Sequence, residues 1–69
     1  MVEFGLRLKR AREKKGLNQT ELGLATGLKP SAIGHFEKER RAPSFKNLYI
    51  LCSALNVSAD YILGLKETT

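Results

Sequence analysis

The sequence predicts an all-α domain of five short helices, the second and third joined closely enough to form a helix-turn-helix at roughly residues 19–38. Three observations lead there. Apolar residues recur at three- and four-residue spacings, the signature of one helix face. Good capping residues, Asn18, Ser44 and Ser58, stand immediately before three of the apolar runs. No stretch alternates β-branched and polar side chains with the two-residue period of a strand.

The first helix is expected from about Val2 to Lys15, with Phe4, Leu8 and Ala11 on one face. Lys14 and Lys15 fall in its last turn and Gly16 follows, which together mark a helix end. The second helix begins after Asn18. Glu21 stands three residues later, where it can return the cap's hydrogen bond as a capping box. Leu22 and Ala25 are expected to point inward, and Gly27 ends the helix. The third starts near Pro30, since the first helical position has no use for the N–H that proline lacks. Ala32, Ile33 and Phe36 supply its buried face. Arg40 to Pro43 is loop, because a residue preceding proline avoids the helical region. Ser44 caps the fourth helix, whose apolar stripe is Phe45, Leu48, Leu51, Cys52 and Leu55. Ser58 caps the fifth, Asp60 complements its dipole, and Tyr61, Ile62 and Leu63 anchor it.

The chain of 69 residues, 42% of them apolar, is read as one domain with its core at about residues 4–65. That length leaves no room for a separate cofactor domain. No apolar run is long enough to cross a bilayer, and Met1–Lys15 lacks the continuous apolar stretch of a secretory signal. Cys52 has no second cysteine to pair with, and one cysteine with one histidine cannot make a zinc site. The expected compartment is the reducing cytoplasm. An enzyme is not expected, because there is no glycine-rich phosphate loop and no Ser/His/Asp arrangement. No metal, cofactor or small-molecule ligand is expected either. Cys52 reads as a small core residue.

Twelve Lys and Arg against seven Asp and Glu give a net charge of +5. Such a balance is the footprint of a polyanion partner, although composition alone does not choose among nucleic acid, an anionic membrane and plain solubility. Six of the twelve bases lie between Arg7 and Lys15 and read as a solvated helix face. The third helix is more informative. With Ile33 and Phe36 turned inward, its outward face keeps Lys29, Ser31, Gly34, His35 and Lys38. None of these is a large apolar side chain. A small, polar helix face with flanking cations fits the major groove of double-stranded DNA.

The run Asn18-Gln19-Thr20-Glu21-Leu22, then Gly27, Ile33 and Phe36-Glu37, then Pro43-Ser44 and Leu55-Asn56-Val57-Ser58, resembles the phage repressor/Cro-type helix-turn-helix family, also called the XRE family. The likeness covers about Phe4 to Leu65 and implies a lambda-repressor-like five-helix fold. It also implies residue roles. Gln19 matches a glutamine that contacts the DNA backbone from a helix start, where free N–H groups favour phosphate. Pro30, Ser31, Gly34 and His35 match positions that approach base edges. Arg40, Arg41, Lys46 and Asn47 match the segment that grips the backbone beside the groove. Arg12 and Glu37 match a salt bridge between the first and third helices. Ala59, Tyr61 and Ile62 fall where family members commonly pair, which implies a homodimer with recognition helices about 34 Å apart on an inverted repeat.

The chain departs from the family at three places. Gly23 replaces a usual alanine and is expected to cost up to about 1 kcal/mol of helix stability. Lys29 replaces the usual Ser/Thr cap of the third helix. Gly34 removes one contact and permits close approach of DNA. The leading function class is therefore a transcriptional regulator, a repressor above all, that acts by occupying an operator. A second class is a protein-interaction module on the same fold. A third reading is the DNA-binding part of a longer repressor, on which the tail Lys66–Thr69 is silent.

Overall fold

The computed structural model describes residues 3–67. They form α1 (Phe4–Lys14), α2 (Gln19–Thr26), α3 (Pro30–Glu37), α4 (Phe45–Leu55) and α5 (Ala59–Ile62), with no strand among the described residues. The expected start of the first helix at Val2 lies outside them, as do Thr68 and Thr69 of the tail.

The helix ends follow from their capping chemistry. Asn18 Oδ1 accepts from the Glu21 N–H at 2.7 Å while Glu21 Oε1 accepts from the Asn18 N–H at 2.8 Å, a complete capping box. Ser44 Oγ accepts from the Asn47 N–H, and Ser58 Oγ from the Tyr61 N–H, each at 3.1 Å. Lys29 makes no side-chain cap, so α3 starts on the preset backbone angle of Pro30.

A single apolar cluster joins all five helices: Leu8 and Ala11 from α1, Leu22 from α2, Ile33 and Phe36 from α3, Leu51 and Leu55 from α4, Tyr61 and Ile62 from α5. Burying a side chain such as Leu22 or Ile33 completely contributes about 1.5–3 kcal/mol. Within this packing α1 lies against α3 and α5, and α2 against α3 and α4. The order of contacts leaves α3 held from behind by two helices, with its other face free. Among the described residues no helix is long and apolar enough to cross a membrane.

Three expected core positions face solvent instead. Ala25 is exposed, because the inward direction of α2 runs through Leu22, Gly23 and Thr26 and Ala25 lies about a quarter turn away. Phe45 is 89% exposed. It is the first residue of α4 and projects beyond the packed part of the stripe, which begins at Leu48. Leu63, just past α5, is 38% exposed and only edges a shallow apolar pocket with Phe4 and Pro43.

Candidate nucleic-acid interface

The turn between α2 and α3 is built from three consecutive devices. Gly27 takes a left-handed conformation at φ 77° and its N–H returns to the Gly23 carbonyl at 2.8 Å. That conformation suits glycine because no Cβ opposes it. Thr26 Oγ1 donates to the Leu22 carbonyl at 2.8 Å and accepts from the Leu28 N–H at 3.2 Å, stitching the last turn of α2 to the link. The third device corrects the reading of Gly23 as a simple cost. A Cβ there would stand 2.7 Å from the Leu28 carbonyl oxygen and 3.4 Å from Pro30 Cδ. With glycine here the link returns this close to α2, and a Cβ would require the Leu28 carbonyl to shift.

Below the turn, a buried carboxylate ties α1, α2 and α3 together. Arg12 Nε donates to Glu37 Oε2 at 2.6 Å and Arg12 Nη2 to Glu37 Oε1 at 3.2 Å. The two side chains are only 10% and 4% exposed. Arg12 Nη1 also donates to the Leu17 carbonyl at 2.7 Å, which pins the segment entering α2. Gln19 Nε2 donates to Glu37 Oε1 at 3.2 Å. The hydrogen bond to Glu37 raises the Arg12 pKa against the opposing desolvation by burial, so the guanidinium stays charged. Gly34 matters here. A Cβ at Gly34 would meet the Gln19 carboxamide at 3.5 Å, an ordinary contact, so Gln19 covers part of the gap left by Gly34.

The outward stripe of α3 is Ser31, His35 and Lys38, spaced to share one helix face opposite Ile33 and Phe36. Ser31 and Lys38 are exposed, while Gly34 and His35 are half-buried. Lys29 and Pro30 are exposed at the helix start. Arg40, Arg41 and Lys46 are exposed beyond its end, and Asn47 is half-buried with its N–H engaged by Ser44. Cations thus flank a polar helix face at both ends, and Gln19 from α2 borders it.

Two further readings from sequence change. Tyr61 and Ile62 are buried in the core and do not offer their side chains to a partner. The reason is the brevity of α5: its four residues commit both large side chains to closing the cluster. Only Ala59 of that trio is exposed. Nor is the basic run of α1 uniformly solvated. Arg12 is buried, and the half-buried Arg7 lies 5.2 Å over the Tyr61 ring and donates to the Tyr61 carbonyl at 3.3 Å. Cys52 is half-buried, and burial pushes its thiol up, away from thiolate reactivity.

Glu39 was not singled out from sequence. It follows α3 with a left-handed φ of 59°, and its carboxylate accepts from the Gly5 N–H at 3.2 Å. The stretch Glu37–Pro43 contains no glycine, so a helix ending there in a left-handed turn had to use some other residue. That is the signal the sequence held.

Two short helices across a glycine turn, the second with a polar free face ringed by cations, define a helix-turn-helix domain. A helix-turn-helix family model matches residues 8–62, and the chain belongs to that family, in its phage repressor and Cro-type branch. The chain is 34% identical over 68 residues to the HTH-type transcriptional regulator ImmR of Bacillus subtilis, covering 99% of this chain and 54% of that one. It thus spans about half the length of such curated relatives. Its fold matches the P22 c2 repressor solved with a synthetic operator, at TM-score 0.84 and 33% identity over 91% of this chain and 94% of that one. It also matches the restriction-modification controller protein C.AhdI of Aeromonas hydrophila, at TM-score 0.82 and 36% identity over 88% and 92% of the two chains.

Proposed function

We propose that the chain binds double-stranded DNA with sequence preference and regulates transcription, most simply as a repressor that occupies an operator. The observation that carries this reading is the free face of α3. Ser31 and His35 stand one helical turn apart, with Lys29, Lys38, Arg40, Arg41 and Lys46 exposed around them. Ser31 and His35 contact base edges; the cations and Gln19 contact phosphates. The likeness to a repressor solved with a synthetic operator supports the DNA-binding reading. Action is by occupancy, not by chemistry, and takes place in the cytoplasm. A second copy completes the regulator on an inverted repeat. Ala59 supports that pairing, since it lines an open apolar groove beside the exposed rings of Phe45 and Tyr49.

Selection of bound duplexes from a random pool, followed by anisotropy titration over a range of salt, tests this. A preferred site with two-fold symmetry is expected. Arg41→Ala is expected to weaken binding to every duplex alike and to reduce the salt slope by about one. Ser31→Ala is expected to change the preferred sequence. No duplex binding above that of a neutral control protein would reject the reading.

A further inference from the structure

Glu39 sits at a position that L side chains disfavour, and the contacts around it give a reason. The end of α3 closes with paired bonds: the Glu39 N–H donates to the Phe36 carbonyl at 3.1 Å and the Arg40 N–H to the His35 carbonyl at 2.9 Å. This is the pattern of a helix that stops through one left-handed residue, a place usually given to glycine. Here that residue is Glu39, at φ 59°. The backbone strain of such a residue persists only where surrounding contacts over-determine it.

The compensating contact lies at the start of α1. That helix has no acidic residue in its first turn, and Glu3 at its cap position makes no side-chain hydrogen bond. The free N–H groups there need an acceptor, and a negative charge suits the dipole. Glu39 supplies both from 34 positions away, accepting from the Gly5 N–H at 3.2 Å. Gly5 is shaped for the same junction. A Cβ on it would overlap the Glu37 carbonyl oxygen and stand 2.8 Å from Glu39 Cγ. The left-handed turn, the remote cap and the missing Cβ are three observations of one joint between the start of α1 and the end of α3.

We propose that Glu39 is a positioning residue for the phosphate-gripping loop: by capping α1 it fixes the turn from which Arg40 and Arg41 project. The inference rests on the reading that those arginines meet DNA phosphates. A glycine at this position would make the turn easily but leave it untethered. Glutamate tethers it, and accepts a negative charge near DNA in exchange.

Two variants of equal charge separate these effects. Glu39→Gln removes the charge and keeps an oxygen that can accept from Gly5, whereas Glu39→Gly removes both and relieves the backbone. Each is measured by thermal unfolding, by amide hydrogen exchange at Gly5 and by titration with several duplexes at one salt concentration. In Glu39→Gln, Gly5 is expected to stay protected and DNA affinity to equal or exceed that of the parent. In Glu39→Gly, which should fold, Gly5 protection is expected to be lost, with binding about three- to tenfold weaker than the glutamine variant on every duplex, as when a phosphate contact is loosened. Equal affinities of the two variants would overturn the positioning role, and unchanged Gly5 protection in Glu39→Gly would overturn the cap. If the parent binds no duplex, the DNA reading and the positioning role fall together, while the exchange data still decide the cap on their own.

Discussion

The two halves of the domain share one apolar core but differ in the contacts added to it. Around α1, α2 and α3 the contacts are polar and sterically exact: a buried Arg12–Glu37 pair, Gln19 on the same carboxylate, a remote cap from Glu39, and glycines at 5 and 23 where no Cβ fits. Around α4 and α5 apolar packing and ordinary serine caps predominate, with Arg7 over the Tyr61 ring as the polar tie to α1. There the rings of Phe45 and Tyr49 are left 89% and 69% exposed, beside an open groove of about 370 Å³. Burial is non-directional and tolerates adjustment, whereas a bidentate ion pair or a backbone contact at a glycine admits one arrangement. The directional contacts gather where three helices must present α3 at a fixed angle.

The largest test of this contrast is the buried pair. Arg12→Met leaves Glu37 as an uncompensated buried carboxylate and is expected to destabilise the domain by about 3–5 kcal/mol in urea unfolding. That is a large share of the total for a chain this short. Adding Glu37→Leu should restore much of the loss, because apolar replacement of a whole buried pair is often near neutral. A loss below about 1 kcal/mol in the single variant would class the pair with ordinary surface bridges. The sign of its pH dependence is fixed. Glu37 raises the Arg12 pKa, so the share of stability linked to Arg12 titration is fully present below its unfolded pKa and is lost as pH rises through the folded value. Across the neutral range the Arg12 contribution should be flat.

A smaller test sets two glycines against each other. Gly23→Ala gains helix propensity but drives a Cβ into the Leu28 carbonyl oxygen, and should destabilise by about 1–2 kcal/mol net. Gly34→Ala gains the same propensity and meets only the flexible Gln19 carboxamide, so it should stabilise by up to about 1 kcal/mol. Opposite signs from one substitution at two helical glycines would show that the turn, not helix propensity, governs the first half. Equal signs would remove the steric account of Gly23.

Much of the fold was legible because it is written locally. Asn18 with Glu21, Ser44 and Ser58 announce their helices through contacts three residues away, and Gly27 and Pro30 mark the turn through their own backbones. The outward stripe of Ser31, His35 and Lys38 follows from period alone. What was not legible depends on distant partners. The acceptor that caps Gly5 comes from the far end of α3, and the need for Gly23 comes from how closely the next helix returns. A helix of four residues gives too little period to tell a core-closing Tyr61 from a surface one. Phe45 carried the right spacing for the core and lay past the end of the packing.

The smallest expected effect belongs to the other half. Phe45→Ser removes a ring that the folded monomer leaves in water, so monomer stability should change by no more than about 0.5 kcal/mol, against about 2–5 kcal/mol for Leu51→Ala on the same helix. A loss approaching that of Leu51 would mean that the ring packs in solution and that the contrast between the halves is weaker than drawn. Self-association supplies the sharper reading. If a second copy covers the groove, Phe45→Ser and Tyr49→Ser should each weaken dimerisation in sedimentation experiments while leaving the monomer's unfolding unchanged. Binding to a single half-site should then be retained and binding to the full inverted repeat weakened, because a two-fold site draws its extra affinity from linking two copies. Unchanged sedimentation in both variants would move the dimer contact elsewhere and leave these rings as exposed apolar side chains without a partner.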